Sequence, residues 1–165
     1  MQELAMRLAA LMSEEEKTLQ EFLEVLEEER RSLMQMETVL LKRLTGAKQA
    51  LHERLIANSR QCRQLLGPLA EKAGVPGART LSPLIPKLPQ PASGSLQELQ
   101  GRLLALGAQL ERLTNENGQL LNNALSTVNR SLEFFGRIFN RGATYGGSGR
   151  MVAGGGGPRL VRGEV

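Results

Sequence analysis

The sequence predicts an all-α protein: an antiparallel bundle of three long helices, the last one longest, with a disordered Gly-rich C-terminal tail. Three observations lead there. Apolar residues recur at steps of three and four through most of the 165 residues, which gathers them on one face of a helix. No run alternates apolar with polar for long enough to make a strand, and β-branched residues are scarce. Tryptophan is absent and aromatics make up 3% of the chain, so a core must be built mostly from leucine.

The first pattern starts at Leu4 and passes through Leu8, Leu11, Leu19, Phe22, Leu26, Leu33, Leu40, Leu44, Leu51, Leu55, Cys62 and Leu65 to Gly67-Pro68, which stops it. As one helix it would extend roughly 90 Å at about 1.5 Å per residue, longer than most globular helices. A turn is therefore expected between Ser32 and Thr38, where the charge changes sign. There Ser32 with Gln35 makes a capping-box pattern, or Thr38 caps a second helix. The result is helices over about 2–31 and 37–66. No Gly or Pro marks the turn, so one continuous helix is the alternative. Residues 1–40 are acidic, with clusters at Glu14 to Glu16 and Glu27 to Glu29, and residues 42–87 are basic, so the two segments are expected to lie antiparallel.

Residues 67–94 hold every proline except Pro158 and form a linker. Val75, Leu81, Leu84, Ile85 and Leu88 predict that it packs along the bundle. Ser95 with Glu98 then reads as a second capping box, opening a helix over 95–140. Leu96, Leu99, Leu103, Leu106, Leu110 and Leu113 alternate threes and fours, the seam of a coiled coil. From Leu113 the spacing becomes four, through Asn117, Leu121 and Leu125, a stutter that turns the stripe relative to the seam. Asn117-Gly118 is ordinarily a turn signal, but the stripe passes through it, which predicts a continuous, weakened helix. The domain organisation expected is a single helical domain over 1–140 and a flexible tail over 141–165, which has too little apolar content to order itself.

The residues exclude most chemistry. There is one histidine, His52, in a helical surface context, and no aspartate. Neither a catalytic constellation nor a metal or cofactor site is expected. Cys62 is the one cysteine and sits on an apolar stripe, the place of a small buried residue rather than of a reactive thiol. The net charge of +4 includes a basic region without aromatic residues to stack on bases, so no nucleic acid is expected as a partner. The N-terminus does not read as a signal peptide, and no segment reaches the ~18 apolar residues of a membrane span. A cytoplasmic protein without membrane insertion is expected.

Interaction remains. Leu121, Leu125, Val128, Leu132, Phe135 and Phe139 share one helical face, with Asn122, Asn123, Ser126, Asn129 and Arg130 on the others. Two helices of ~30 residues cover about 45 Å each and the last about 69 Å, so part of that apolar face is expected to lack cover and to need a partner.

The run N-E-N-G-x-L-L-x-x-A-L, then V-N-R-S-L-E-F-F and T-Y-G-G-S-G, resembles the FlgN-type flagellar export chaperones, escorts of hook-filament junction proteins. The N-terminal half agrees in pattern, an acidic leucine-rich helix with E-E-E-R-R-S-L leading to K-Q-A-L. The resemblance implies that Leu121, Leu125, Val128, Leu132 and Phe135 bind the C-terminal helical segment of a junction protein and prevent its premature assembly. It also implies that Tyr145, with Gly146, docks on the cytoplasmic domain of the export gate. The last residues, GGGGPRLVRGEV, depart from the pattern and take no role from it. The rival reading is a structural coiled-coil protein forming a homodimer through the 121–139 stripe. A more distant one is an RNA-binding tail.

Overall fold

The computed structural model describes the backbone of residues 1–141 and the side chains through Arg137. Three helices account for most of it: α1 (Gln2–Gln35), α2 (Thr38–Lys72) and α3 (Ala92–Arg141). Among the described residues there is no strand. The predicted tail lies outside them. By compactness the chain divides into a first unit, Met1–Asn122, and a second beginning at Asn123.

Within the first unit the helices run up, down and up. Between α1 and α2, Glu28 pairs with Arg43, Glu21 with Arg54, and Asn58 Nδ2 donates to the Leu11 carbonyl oxygen at 2.8 Å. One number falls as the other rises, so these two helices are antiparallel, and the acidic segment does lie against the basic one. Between α1 and α3 the pairs Glu16–Arg102 and Arg30–Glu116 share one offset of 86 residues, so α3 runs parallel to α1.

The turn between α1 and α2 falls in the expected interval but is built differently. Ser32 is no cap: it is buried inside α1, and its hydroxyl donates back to the Glu28 carbonyl oxygen at 2.9 Å. Thr38 is the first residue of α2 and no side chain caps that end. Instead Met36 takes the left-handed conformation, φ 58°. The Glu37 N–H then donates to the Ser32 oxygen at 3.0 Å and the Met36 N–H to the Leu33 oxygen at 3.4 Å, the double closure that commonly ends helices.

Pro68 does not stop α2, which continues to Lys72. The ring removes one backbone donor and crowds the preceding turn, but Leu69 and Ala70 just beyond it are almost wholly buried. Their burial outweighs the missing hydrogen bond. The helix ends instead at Gly74, φ 72°, with the Val75 N–H on the Ala70 oxygen at 2.9 Å and the Gly74 N–H on the Glu71 oxygen at 3.2 Å.

The linker packs into the core as its apolar residues predict. Leu81, Leu84, Ile85 and Leu88, around a short 3-10 turn (Ile85–Lys87), join Ala5, Leu8 and Met12 of α1, Leu69 and Ala70 of α2, and Leu96 and Leu99 of α3. Ser93 Oγ donates to the Ile85 carbonyl oxygen at 2.8 Å, tying the start of α3 to this segment. Ser95 is not the cap of α3, because its N–H already donates to Pro91 and the helix has begun at Ala92. Towards the α1–α2 turn the core is thinner: Leu23 and Leu26 of α1 meet Leu113 of α3, flanked by Phe22, Leu106 and Leu110.

Candidate partner-binding surface

The helix α3 runs unbroken through Asn117-Gly118, as the stripe requires. Its predicted partner-binding residues fall in both units. Leu121 belongs to the first, and Leu125, Val128, Leu132 and Phe135 belong to the second. All five are exposed, between 46 and 63%. Within the second unit, bare Leu125, Val128, Leu132 and Phe135 recur at helical spacing, and exposed apolar faces of that kind mark interaction sites.

The polar side of the second unit satisfies itself. Thr127 Oγ1 donates to the Asn123 carbonyl oxygen and Ser131 Oγ to that of Thr127, each at 3.0 Å. Phe134, which the stripe leaves out by one position, is equally bare and meets Phe135 edge to face, with ring centres 5.8 Å apart. It widens the apolar face; the adjacent pair of aromatics was the sequence signal for it. Phe139 lies beyond the described side chains, and Tyr145 and Gly146 lie outside the described residues altogether.

A second feature, inside the first unit, was not read from the sequence. Between the upper parts of α1, α2 and α3 runs an open groove of about 530 Å³. Phe22, Leu26, Leu33, Leu41 and Leu121 give it an apolar lining, and Thr45, Gln49, His52 and Thr114 supply polar groups. In its wall, Glu29 joins three helices. Its carboxylate accepts from Lys48 Nζ of α2 and, at 2.9 Å, from Asn117 Nδ2 of α3. The same Asn117 amide donates to the Leu26 carbonyl oxygen at 2.8 Å. Asn117 is 4% exposed, and its Oδ1 has no hydrogen-bond partner among the described residues. A buried asparagine in a leucine seam fixes register at a cost in stability. Its place between Leu113 and Leu121 was the clue; Glu29 could not be told from its neighbours Glu27 and Glu28.

The remaining reactive side chains are not poised for catalysis. Cys62 and Glu15 line a smaller cleft of about 280 Å³. Burial, helped by the charge of Glu15, pushes the Cys62 thiol up to about 11. Burial also raises Glu15; the raised thiol is the opposite of what an activated thiolate needs. His52 is exposed on the groove rim. No group of histidine, cysteine and glutamate among the described residues could hold a metal ion, and none of the described helices is long and apolar enough to cross a membrane.

Comparison with known proteins agrees with the motif reading. The family model described as FlgN protein matches residues 1–153. Neither the curated proteins nor the solved structures contain a match. Three packed helices, an exposed apolar face at the end of the longest, and a family match over nearly the whole sequence agree, and the chain belongs to the FlgN family of flagellar export chaperones, a family of escorts rather than of enzymes.

Proposed function

We propose that this chaperone escorts hook-filament junction proteins in the cytoplasm, covering their C-terminal helical segments with Leu121, Leu125, Val128, Leu132 and Phe135. The observation that carries the reading is the exposure of these five side chains on one helix. A partner helix laid along them would bury apolar surface on both sides, at about 25 cal/mol per Å². Covering the partner's assembly surface keeps it from polymerising early, and ordering a marginal helix couples binding to folding. Tyr145, with Gly146, then hands the complex to the cytoplasmic domain of the export gate, as a short linear motif separate from the cargo face. The helical domain is proposed to span 1–140, with 141–165 as a separate segment.

Co-purification with a junction protein tests this. Serine at Leu125, Leu132 and Phe135 together is expected to abolish capture while far-UV circular dichroism stays unchanged. Capture that survives the triple change removes the cargo-face claim. Should the variant instead only lose self-association, with no secreted partner captured by the unaltered chain, the coiled-coil dimer is the better reading. Tyr145→Ala is expected to leave capture intact and to lower export; unaltered export removes the docking claim.

A further inference from the structure

Among the described residues, nothing occupies the groove of the first unit and nothing covers the apolar face of the second. At its lower end the bundle is closed by four elements, since the Leu81–Leu88 segment packs with α1, α2 and α3. At its upper end no fourth element packs among the described residues: Leu23 and Leu26 of α1 meet Leu113 of α3, Leu44 and Leu51 of α2 are also buried, and the groove is lined by all three helices. The lower end shows what such a gap accepts, a short segment with apolar residues on one side.

Two properties of the groove specify its occupant. Its length along α1, from Phe22 to Leu33, is about 16 Å, and the bare face from Leu125 to Phe135 covers about 15 Å. Its polar rim, Thr45, Gln49, His52 and Thr114, carries no carboxylate or ammonium group, and the Lys48 and Glu29 charges in the wall neutralise each other. A strongly charged helix would lose solvation there without compensation. The stretch from Asn122 to Phe135 is flanked by Asn122, Asn123, Ser126, Thr127 and Asn129 and carries one charge of each sign, Arg130 and Glu133. Residues 142–165 offer too few apolar side chains, scattered among glycines, to fill the groove.

We propose that, when no exported partner is bound, the face Leu125–Phe135 of one copy seats in the α1–α2–α3 groove of a second copy. Each copy supplies one face and one groove, so mutual exchange satisfies both in a dimer. The apolar side chains that would capture cargo are then covered in storage, and cargo binding competes with self-association. The inference does not rest on the identity of the cargo, since face and groove are both features of the free chain. It also differs from a coiled coil in which two stripes meet.

The test needs only the full-length chain. In a Cys62→Ser background, Thr45→Cys and Leu132→Cys are made as separate proteins, and each alone and their mixture are oxidised. The expected result is a disulfide dimer in the mixture and none from either protein alone. A disulfide from Leu132→Cys alone means stripe against stripe and overturns the proposal, as does a mixture that stays unlinked. Light scattering on the unaltered chain is expected to give twice the 18.0 kDa chain mass. Thr45→Arg, at an exposed rim position, is expected to halve that mass without loss of helicity. A monomer in the unaltered chain, or a dimer indifferent to Thr45→Arg, also overturns the proposal. Cargo capture by Thr45→Arg is expected to persist, which separates failure of this inference from failure of the cargo reading.

Discussion

Gly74 and Met36 occupy equivalent places, each in the left-handed conformation at the end of a helix, each closing the same pair of backbone hydrogen bonds. Glycine adopts that conformation freely, whereas a side chain there costs on the order of 1–2 kcal/mol. Met36 is 57% exposed, so few contacts repay the strain. Met36→Gly is expected to stabilise the fold by about 1 kcal/mol in urea titration, less than the full strain because glycine also gains freedom when unfolded. Glu15 offers a test by pH. Burial raises its folded pKa above that of a free glutamate, so its contribution to stability is present below the free value and is lost as pH rises through the folded pKa. Glu15→Gln should therefore raise the melting temperature at pH 7, and the difference should vanish below about pH 4. A gain that persists in acid would mean that packing, not ionisation, is responsible.

Each helix shows where local rules were enough and where burial overrode them. Leucine spacing gave the three helices, and the change of charge sign placed the α1–α2 turn, because both depend on residues close in sequence. The helix ends were harder to read. Ser32 and Ser95 have the side chains of caps, yet each sits inside a helix, since the neighbouring backbone already supplied the hydrogen bonds. Pro68 has the strongest stop signal in the chain and lies inside α2. Leu69, fully buried beside it, was the deciding residue, and its burial depends on Leu81 to Leu88, which reach it only through the tertiary fold. Opposite signs are expected for the two neighbours. Pro68→Ala should stabilise by about 1–3 kcal/mol, and Leu69→Ala should destabilise by about 2–5 kcal/mol, both read from denaturant midpoints.

For the whole molecule, the candidate face was legible because exposure follows from spacing plus the excess length of the last helix over the two before it. The groove was not, since it arises where three distant segments fail to fill a space. Stability is expected to be uneven across the two units. Residues 96–113 carry the buried seam, while from residue 125 through Arg137 every described side chain is exposed. Helices of that length without packing are marginal in water. Hydrogen exchange should give amides of 96–113 near-global protection, and amides of 125–137 should exchange orders of magnitude faster in dilute solution, becoming protected when cargo or a second copy binds.

Lys48 and Asn117 stand on different helices and both donate to Glu29, so communication between α2 and α3 at that level runs through a single intermediary. Energetic coupling between Lys48→Met and Asn117→Ala should be measurable, about 0.5–1 kcal/mol in a double-mutant cycle. Repeating the cycle on a Glu29→Gln background should bring it close to zero. The grip of one helix on another would then be adjustable at a third, without touching either.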